Sequence, residues 1–396
     1  MNLKLKHKTL AILLTTIIWL AVSPHAWAQS EVPGVVVDHS HASSQVYLGS
    51  PSIVILEDGA YVASHDFFGP GTNNREQGRT AIFRSTDRGQ TWKQVAELKD
   101  ALWSNLFTFR GALYLMGTNK VYGDLVIRKS LDGGRSWTKP ENKNTGLLRT
   151  DKQYHTAPMP MVIHNGRIIR AIEDRHPPEG WGVNFRAMVI SAPIGADLLK
   201  ASNWSASNRL RYDQDWPGRA WLEGNVLVMP EGDMVNVLRN DYRPEGGRAC
   251  IVQVSKYGDQ VSFDTDSGFI DFPGGCKKFS IRYDGVSGRY WSLSNYIPPE
   301  YEGHNPERTR NTLALISSKD LRNWEVNKII LQHPDVEHVG FQYADWQFDG
   351  EDMVALIRTA YPEPDGTKAH SCHDANYTIF YRIKNFRKYT EDIRNK

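Results

Sequence analysis

An eight-residue pattern occurs twice in this chain and limits its folding options more than any other feature. Ser85-Thr86-Asp87-Arg88-Gly89-Gln90-Thr91-Trp92 returns 45 residues later as Ser130-Leu131-Asp132-Gly133-Gly134-Arg135-Ser136-Trp137. A degenerate third copy reads Ser317-Ser318-Lys319-Asp320-Leu321-Arg322-Asn323-Trp324. Each residue type has a local task. The Asp closes a hairpin turn on backbone amides, the Gly takes positive φ, and the Trp packs beneath the turn. Between the copies, short apolar runs alternate with turn signals, as in Ser52-Ile53-Val54-Ile55-Leu56 before Glu57-Asp58-Gly59 and Met161-Val162-Ile163 before His164-Asn165-Gly166. Asp-Gly and Asn-Gly between apolar runs are strong hairpin signals. Only residues 194–201 read as helical, so the chain is expected to be all-β. A period near 45 residues equals one four-stranded blade of a β-propeller. The length available predicts six to eight blades, with seven favoured.

The pattern Ser-x-Asp-x-Gly-x-x-Trp resembles the Asp-box of sialidase-type propellers, a mark of fold on the outer rim and not of chemistry. Sialidases hold a sialate carboxylate with three arginines, the first in an Arg-Ile-Pro strand. Here the corresponding stretch is Gly49-Ser50-Pro51-Ser52-Ile53, with Ser in place of that Arg. Loss of a bidentate carboxylate contact argues against sialidase activity.

Residues 1–28 read as a secretory leader. Lys4, Lys6 and Lys8 precede an apolar run over 10–22, and Ala26-Trp27-Ala28 places cleavage before Gln29. The apolar run is shorter than the roughly 20 residues a membrane span needs. Residues 29–396 then form one propeller domain, secreted or periplasmic, monomeric, and off the membrane after cleavage. The chain has 47 Lys+Arg against 45 Asp+Glu, and without the three leader lysines the balance is 44 against 45. So even a charge excludes nucleic-acid binding by bulk electrostatics.

Phe341-Gln342-Tyr343-Ala344-Asp345-Trp346-Gln347-Phe348, Arg358-Thr359-Ala360-Tyr361 and His373-Asp374-Ala375-Asn376-Tyr377 resemble the last blades of seven-bladed propellers that process uronate polysaccharides. Pro273-Gly274-Gly275-Cys276-Lys277 and Arg289-Tyr290-Trp291-Ser292-Leu293-Ser294-Asn295 are similar to the same group, which includes ulvan lyases and rhamnose–glucuronate-cleaving enzymes. The resemblance implies an anionic polysaccharide substrate and β-elimination. That reaction needs a cation to neutralise the uronate carboxylate, a base for the C5 proton and an acid for the leaving oxygen.

Arg239, ending an apolar strand, is the expected neutraliser. His155 and His176 stand 21 residues apart, a separation similar to that of two ulvan-lyase histidines, and a hairpin through His164-Asn165-Gly166 would bring them to one end. His155 or Tyr242 would be base or acid, and His176 would position the uronate. The lyase pattern calls for a Tyr upstream of this Arg, where Glu223 stands, with Asn225 close by as a substrate contact. Glu223 therefore opens a hydrolase alternative on the same scaffold. His65, near a histidine used by rhamnosyl-glucuronate hydrolases of this fold, is a second candidate for it, unless Asp66 simply holds it. A non-catalytic glycan-binding propeller is the third reading. Trp103, Trp181 and Trp346 can stack on sugars, although packing between blades is the commoner use of a propeller Trp.

Three cysteines remain, an odd number for an oxidising compartment. Cys250, Cys276 and Cys372 with His373 would make a closed Cys3His structural zinc site, similar to the zinc of ulvan lyases, and His370 could replace His373. A Cys250–Cys276 disulfide with Cys372 free is the alternative.

Overall fold

A computed structural model of the chain describes residues 31–244 and 246–390. The expected leader, 1–28, lies outside the described residues. Among the described residues no helix is long and apolar enough to cross a membrane.

The strands form six sheets, so the architecture is an all-β propeller of six blades, not the seven favoured from the repeat. The correction has a simple cause. The 45-residue step separates only the boxes of blades one and two, while the 188 residues from Ser130 to Ser318 span three blades. Longer connections in blades three to five account for the length that a seventh blade would have used. Blades one and two comprise Tyr47–Ile55, Tyr61–Phe68, Arg79–Ser85 and Lys93–Lys99, then Leu102–Phe109, Ala112–Thr118, Leu125–Ser130 and Leu147–Arg149. In blade three the inner strand is broken into Gln153–His155 and Val162–His164, both paired with Arg167–Arg175. Blades four and five start at Trp221–Val228 and Ser280–Asp284. Blade six is built from Gly340–Asp349, Asp352–Ala360 and Tyr377–Ile383, and Val35–His39 from the other end of the chain supplies its outermost strand. The stretch over 194–201 is turn, followed by a single 3-10 turn at Ala201–Asn203.

The boxes cap the turn between third and outer strands as their chemistry requires. Asp87 accepts from the Thr91 amide at 2.9 Å, and Trp92 Nε1 donates to the Gly89 carbonyl at 3.2 Å. Asp132 and Trp137 repeat the arrangement. The Thr91 hydroxyl and amide hold the Asp87 carboxyl down to about 2. The third copy is one residue shorter, running from Ser318, and Leu321 takes the positive-φ place of glycine at φ 64°. A left-handed leucine costs about 1–2 kcal/mol. Its side chain is buried between blades four and five, which contributes about 1.5–3 kcal/mol and offsets the strain.

The hydrophobic core is six interfaces between neighbouring blades rather than one interior. Trp291 and Trp346, both fully buried, lie between blades five and six, and Ile53, Val354 and Phe380 close the ring between six and one. Polar side chains of the inner strands then link the blades near the axis. Asp345 accepts from Ile53 N at 2.9 Å, Ser52 Oγ from Leu106 N at 3.0 Å, and Asn225 Oδ1 from Ile281 N at 2.9 Å. Asp345 also receives Ser52 Oγ at 3.0 Å and pairs with Arg282 at 3.1 Å. Replacing it leaves the half-buried Arg282 guanidinium without its carboxylate and opens the seam where the ring closes. Asp345→Ala is expected to lower unfolding stability by about 3–5 kcal/mol, measured by urea denaturation; a change below about 1 kcal/mol would show that the seam does not depend on it.

Candidate functional site

Four inner strands carry the same irregularity. Pairing with the second strand slips between Gly49 and Ser52, Leu102 and Asn105, Leu222 and Asn225, and Gln342 and Asp345. One residue in each slip is left-handed although it is not glycine: Ser50 (φ 46°), Trp103 (49°), Glu223 (57°) and Tyr343 (55°). A bulge adds an unpaired residue and turns its side chain out of the pleat. Directly across from the residue before three of the four bulges, the second strand adds a charged group: Asp66 opposite Gly49, Arg239 opposite Leu222 and Arg358 opposite Gln342. Blade three has no bulge, but its inner strand breaks after His155, which faces Glu173. The bulges, with the strand break in blade three, thus deliver side chains from blades one, two, three, four and six to one mouth of the ring.

The centre of this mouth is a Tyr–Glu–Arg cluster. Tyr343 Oη donates to Glu223 Oε1 at 2.9 Å, and Arg239 Nη1 donates to Glu223 Oε2 at 2.9 Å and to Tyr343 Oη at 3.4 Å. Arg239 Nε is fixed by the Cys276 carbonyl at 2.7 Å. Glu223 and Arg239 are only 3% and 1% exposed. Burial pushes the Glu223 carboxyl up, but the charges of Arg239 and His155 and the hydrogen bonds from Arg239 and Tyr343 outweigh it and leave it below its ordinary value. Burial and the adjacent Glu223 charge raise the Tyr343 phenol, so it is protonated at neutral pH.

Two further guanidiniums flank the phenol, Arg310 at 5.8 Å and Arg358 at 5.0 Å from its ring. Glu307 pairs with Arg310 at 3.1 Å and reaches Arg239 at 3.8 Å. Three arginines and two ionised glutamates leave the immediate surroundings of Tyr343 one positive charge in excess. Asp66 accepts from the Trp103 amide at 2.7 Å, and burial raises its carboxyl, which favours the protonated acid.

The sequence-predicted residues divide into two groups. Glu223 and Arg239 belong to the cluster. His155 forms its wall, with Nδ1 3.1 Å from Glu173 Oε2 and its ring between Trp103 and Phe185. His176 is exposed, on the connection that also carries Trp181, whose ring lies 5.5 Å from the Arg239 guanidinium. Tyr242 stacks under Arg248 of the third strand, at 4.4 Å, rather than meeting Glu223. Two candidates are corrected outright. Asn225 is fully buried and spent on Val237, Phe279 and Ile281 across blades four and five. His65 is fully buried and held by Asp38 at 2.8 Å and the Asp66 carbonyl at 3.1 Å, so it ties blade one to the closing strand. Trp103 and Trp181 are at the mouth, and Trp346 is core.

The expected zinc ligands do not fit a shared metal. Among the described residues no group of three or more His, Cys, Asp or Glu side chains is placed to hold one. Cys250 is buried in the apolar layer between blades three and four, which pushes its thiol up, and Cys372 Sγ donates to the Arg308 carbonyl at 2.9 Å. All three cysteines are free thiols, so the disulfide alternative is not formed either.

Tyr343, Asp66, Arg310 and Arg358 were not singled out from the sequence. For Tyr343 the signal was present in the inner-strand repeat: the bulged residue, a small residue or Pro, a Ser, Asn or Asp, then an apolar residue. It reads Ser50-Pro51-Ser52-Ile53, Trp103-Ser104-Asn105-Leu106, Glu223-Gly224-Asn225-Val226 and Tyr343-Ala344-Asp345-Trp346.

No protein-family model matches the chain, and no curated protein matches it in sequence. Solved structures do share its fold. The Penicillium chrysogenum α-L-arabinanase complexed with arabinobiose is 15% identical with a TM-score of 0.53, over 89% of this chain and 98% of that one. The Hadza microbial sialidase Hz136 is 14% identical with a TM-score of 0.58, over 89% and 69%. Trypanosoma rangeli sialidase in complex with sialic acid is 14% identical with a TM-score of 0.56, over 88% and 56%. A protein of unknown function from Dyadobacter fermentans matches at 14% and 0.56, over 89% and its whole length. At such identities the likeness establishes the propeller fold.

A depressed carboxyl adds stability that is present above its unfolded pKa and is lost as pH falls through its folded one. Glu223→Gln is therefore expected to cost about 3–5 kcal/mol at neutral pH, because Arg239 loses its closest carboxylate. The gap from wild type should shrink as pH drops below 4.5, the ordinary value of this group. Denaturation of both proteins across that range checks it; a gap that stays constant with pH contradicts the ion-pair assignment.

Proposed function

We propose that this chain is a retaining glycoside hydrolase whose nucleophile is Tyr343, acting on a sugar that carries a carboxylate on or beside its reacting carbon. The observation that carries the reading is the 2.9 Å hydrogen bond from the Tyr343 phenol to Glu223, inside a ring of three arginines. Most retaining enzymes use a carboxylate nucleophile, with tyrosine as the known exception. The electrostatic reason for tyrosine applies here. A carboxylate nucleophile would approach an acidic sugar against its charge, whereas a neutral phenol does not, and Glu223 supplies the base from behind.

In the first half-reaction the phenol oxygen bonds to the anomeric carbon and its proton passes to Glu223. The bond to the leaving oxygen breaks as that oxygen takes the proton of Asp66. In the second, water gives a proton to the Asp66 carboxylate and attacks the same carbon, while the tyrosyl oxygen leaves and recovers its proton from Glu223. Arg239 and Arg310 balance the substrate's charge. Trp103 and Trp181 offer apolar faces at the mouth for neighbouring sugars. The basic start, apolar run and Ala-x-Ala end of residues 1–28 fit export to where a polysaccharide would be met.

Elimination from a uronate, the first choice from the sequence, is less supported. Glu223 stands where that chemistry wants a tyrosine, Tyr242 is engaged with Arg248, and His155 is turned towards Glu173. Chromogenic glycosides separate the cases. The protein is expected to cleave glycosides of N-acetylneuraminic or glucuronic acid and not arabinofuranosides. Glu223→Gln should lower kcat about 10²- to 10⁴-fold with a smaller change in KM. Unsaturated, ultraviolet-absorbing products from a uronate polymer, with no reducing ends from acidic glycosides, would overturn the hydrolase reading in favour of a lyase.

A further inference from the structure

The first-blade corner of the mouth has serine in place of an arginine, and the adjoining Gly49 has no room for a side chain either: a Cβ there would lie 2.5 Å from Asp66 Oδ1 and 3.0 Å from the Phe68 ring. A cation reaches this corner from across the closing seam. Arg358 lies on the second strand of blade six, its guanidinium 4.4 Å from the Phe68 ring and 5.0 Å from the Tyr343 ring. It is 5% exposed, and its buried Nε has no hydrogen-bond partner. Among the described residues no carboxylate comes within 4.0 Å of it; Asp66 and Asp374 act on it only at longer range. A guanidinium is charged at neutral pH. A buried cation with no protein counter-ion is costly unless a ligand supplies the negative charge.

Arg358 is held by His373. Its Nη2 donates to the His373 carbonyl and lies 3.2 Å from His373 Nε2. His373 Nδ1 is 2.9 Å from Asp374 Oδ1, and Asp374 Oδ2 is 2.6 Å from His370 Nδ1. A carboxylate only accepts, so the His373 proton belongs on Nδ1 and Nε2 keeps the lone pair that receives Arg358. Both of its ring nitrogens are therefore committed to orienting this arginine.

We propose that Arg358 is a substrate-binding residue that takes the place of the absent first-blade arginine and grips the carboxylate of the reacting sugar, with His373 and Asp374 as its positioning pair. The proposal rests on the hydrolase reading for where the reacting sugar lies, and it is tested by binding so that the two can fail separately.

The probes are the planar 2,3-didehydro analogue of N-acetylneuraminic acid, glucuronic acid and neutral arabinobiose, titrated by calorimetry into wild type, Arg358→Ala, Arg358→Lys, His373→Ala and His373→Gln, each with its Tm recorded. Arg358→Ala should weaken binding of an acidic probe about tenfold or more and leave arabinobiose unchanged. Arg358→Lys keeps the charge without the fork and should fall between, which covers a failure of the alanine variant to fold. His373→Ala should approach the Arg358→Ala value, and His373→Gln, whose amide oxygen can accept from Arg358, should recover most of the affinity. On a cleaved glycoside the same variants should raise KM more than they lower kcat. Unchanged acidic-probe binding in a folded Arg358→Ala, or equal losses in His373→Ala and His373→Gln, overturns the proposal. Selective loss of binding with no turnover by wild type supports it and sinks the hydrolase reading instead. No acidic probe binding to wild type overturns both.

Discussion

A backward turn of one residue near the end of each inner strand decides what this molecule presents at its mouth. A regular strand paired along its length would send alternate side chains into the two seams with the neighbouring blades, with none standing over the opening. The left-handed bulge breaks that alternation in blades one, two, four and six, and costs about 1–2 kcal/mol at each non-glycine position. What keeps the bulges in place is the next step of the repeat. Two residues on, Ser52, Asn225 and Asp345 each accept an amide of the neighbouring blade's inner strand, so the link that closes the ring also anchors the kink. Fold stability and site geometry therefore share the same few residues.

Electrostatics then selects among possible chemistries. The mouth gathers Arg239, Arg310 and Arg358 against two glutamates, and places a protonated phenol where the three cations converge. Glu223 stays ionised despite burial because Arg239 and Tyr343 both donate to it. Asp66, without a guanidinium at bonding distance, is pushed the other way. Two carboxyls with opposite tendencies in one site give a base and an acid, a pattern found in enzymes that divide acid and base roles between similar groups. The net positive balance asks the ligand for an anion.

Much of the scaffold could be read from the sequence because its signals are local. The Asp-boxes need only eight consecutive residues, and both full copies fold as their chemistry dictates. The blade count was misread because the spacing of one pair of boxes was taken for the period of the whole ring, and connections elsewhere are longer. The site was half legible. Glu223 and Arg239 stood out as charged residues in apolar strands, and they meet. His65 and Asn225 looked similar in sequence yet are structural, since the register turns them into the seams between blades. Tyr343 was hidden in a strand that reads as ordinary core, because a left-handed bulge leaves little trace in hydropathy. The four-residue repeat around it becomes visible only when the inner strands are aligned on one another. The expected zinc ligands are not gathered among the described residues for a related reason: cysteine count carries no information about which seam each thiol faces.

The central claim is that the phenol of Tyr343, driven by Glu223, forms a bond to the sugar. Trapping tests it most directly. The protein is mixed with a glycoside of a fluorinated acidic sugar, in which the fluorine slows release of the intermediate, then denatured and weighed by mass spectrometry. The account predicts a mass gain equal to one glycosyl residue, located by peptide sequencing on Tyr343 and absent in Tyr343→Phe. An adduct on any other side chain, or steady turnover of the same glycoside by Tyr343→Phe, would contradict it.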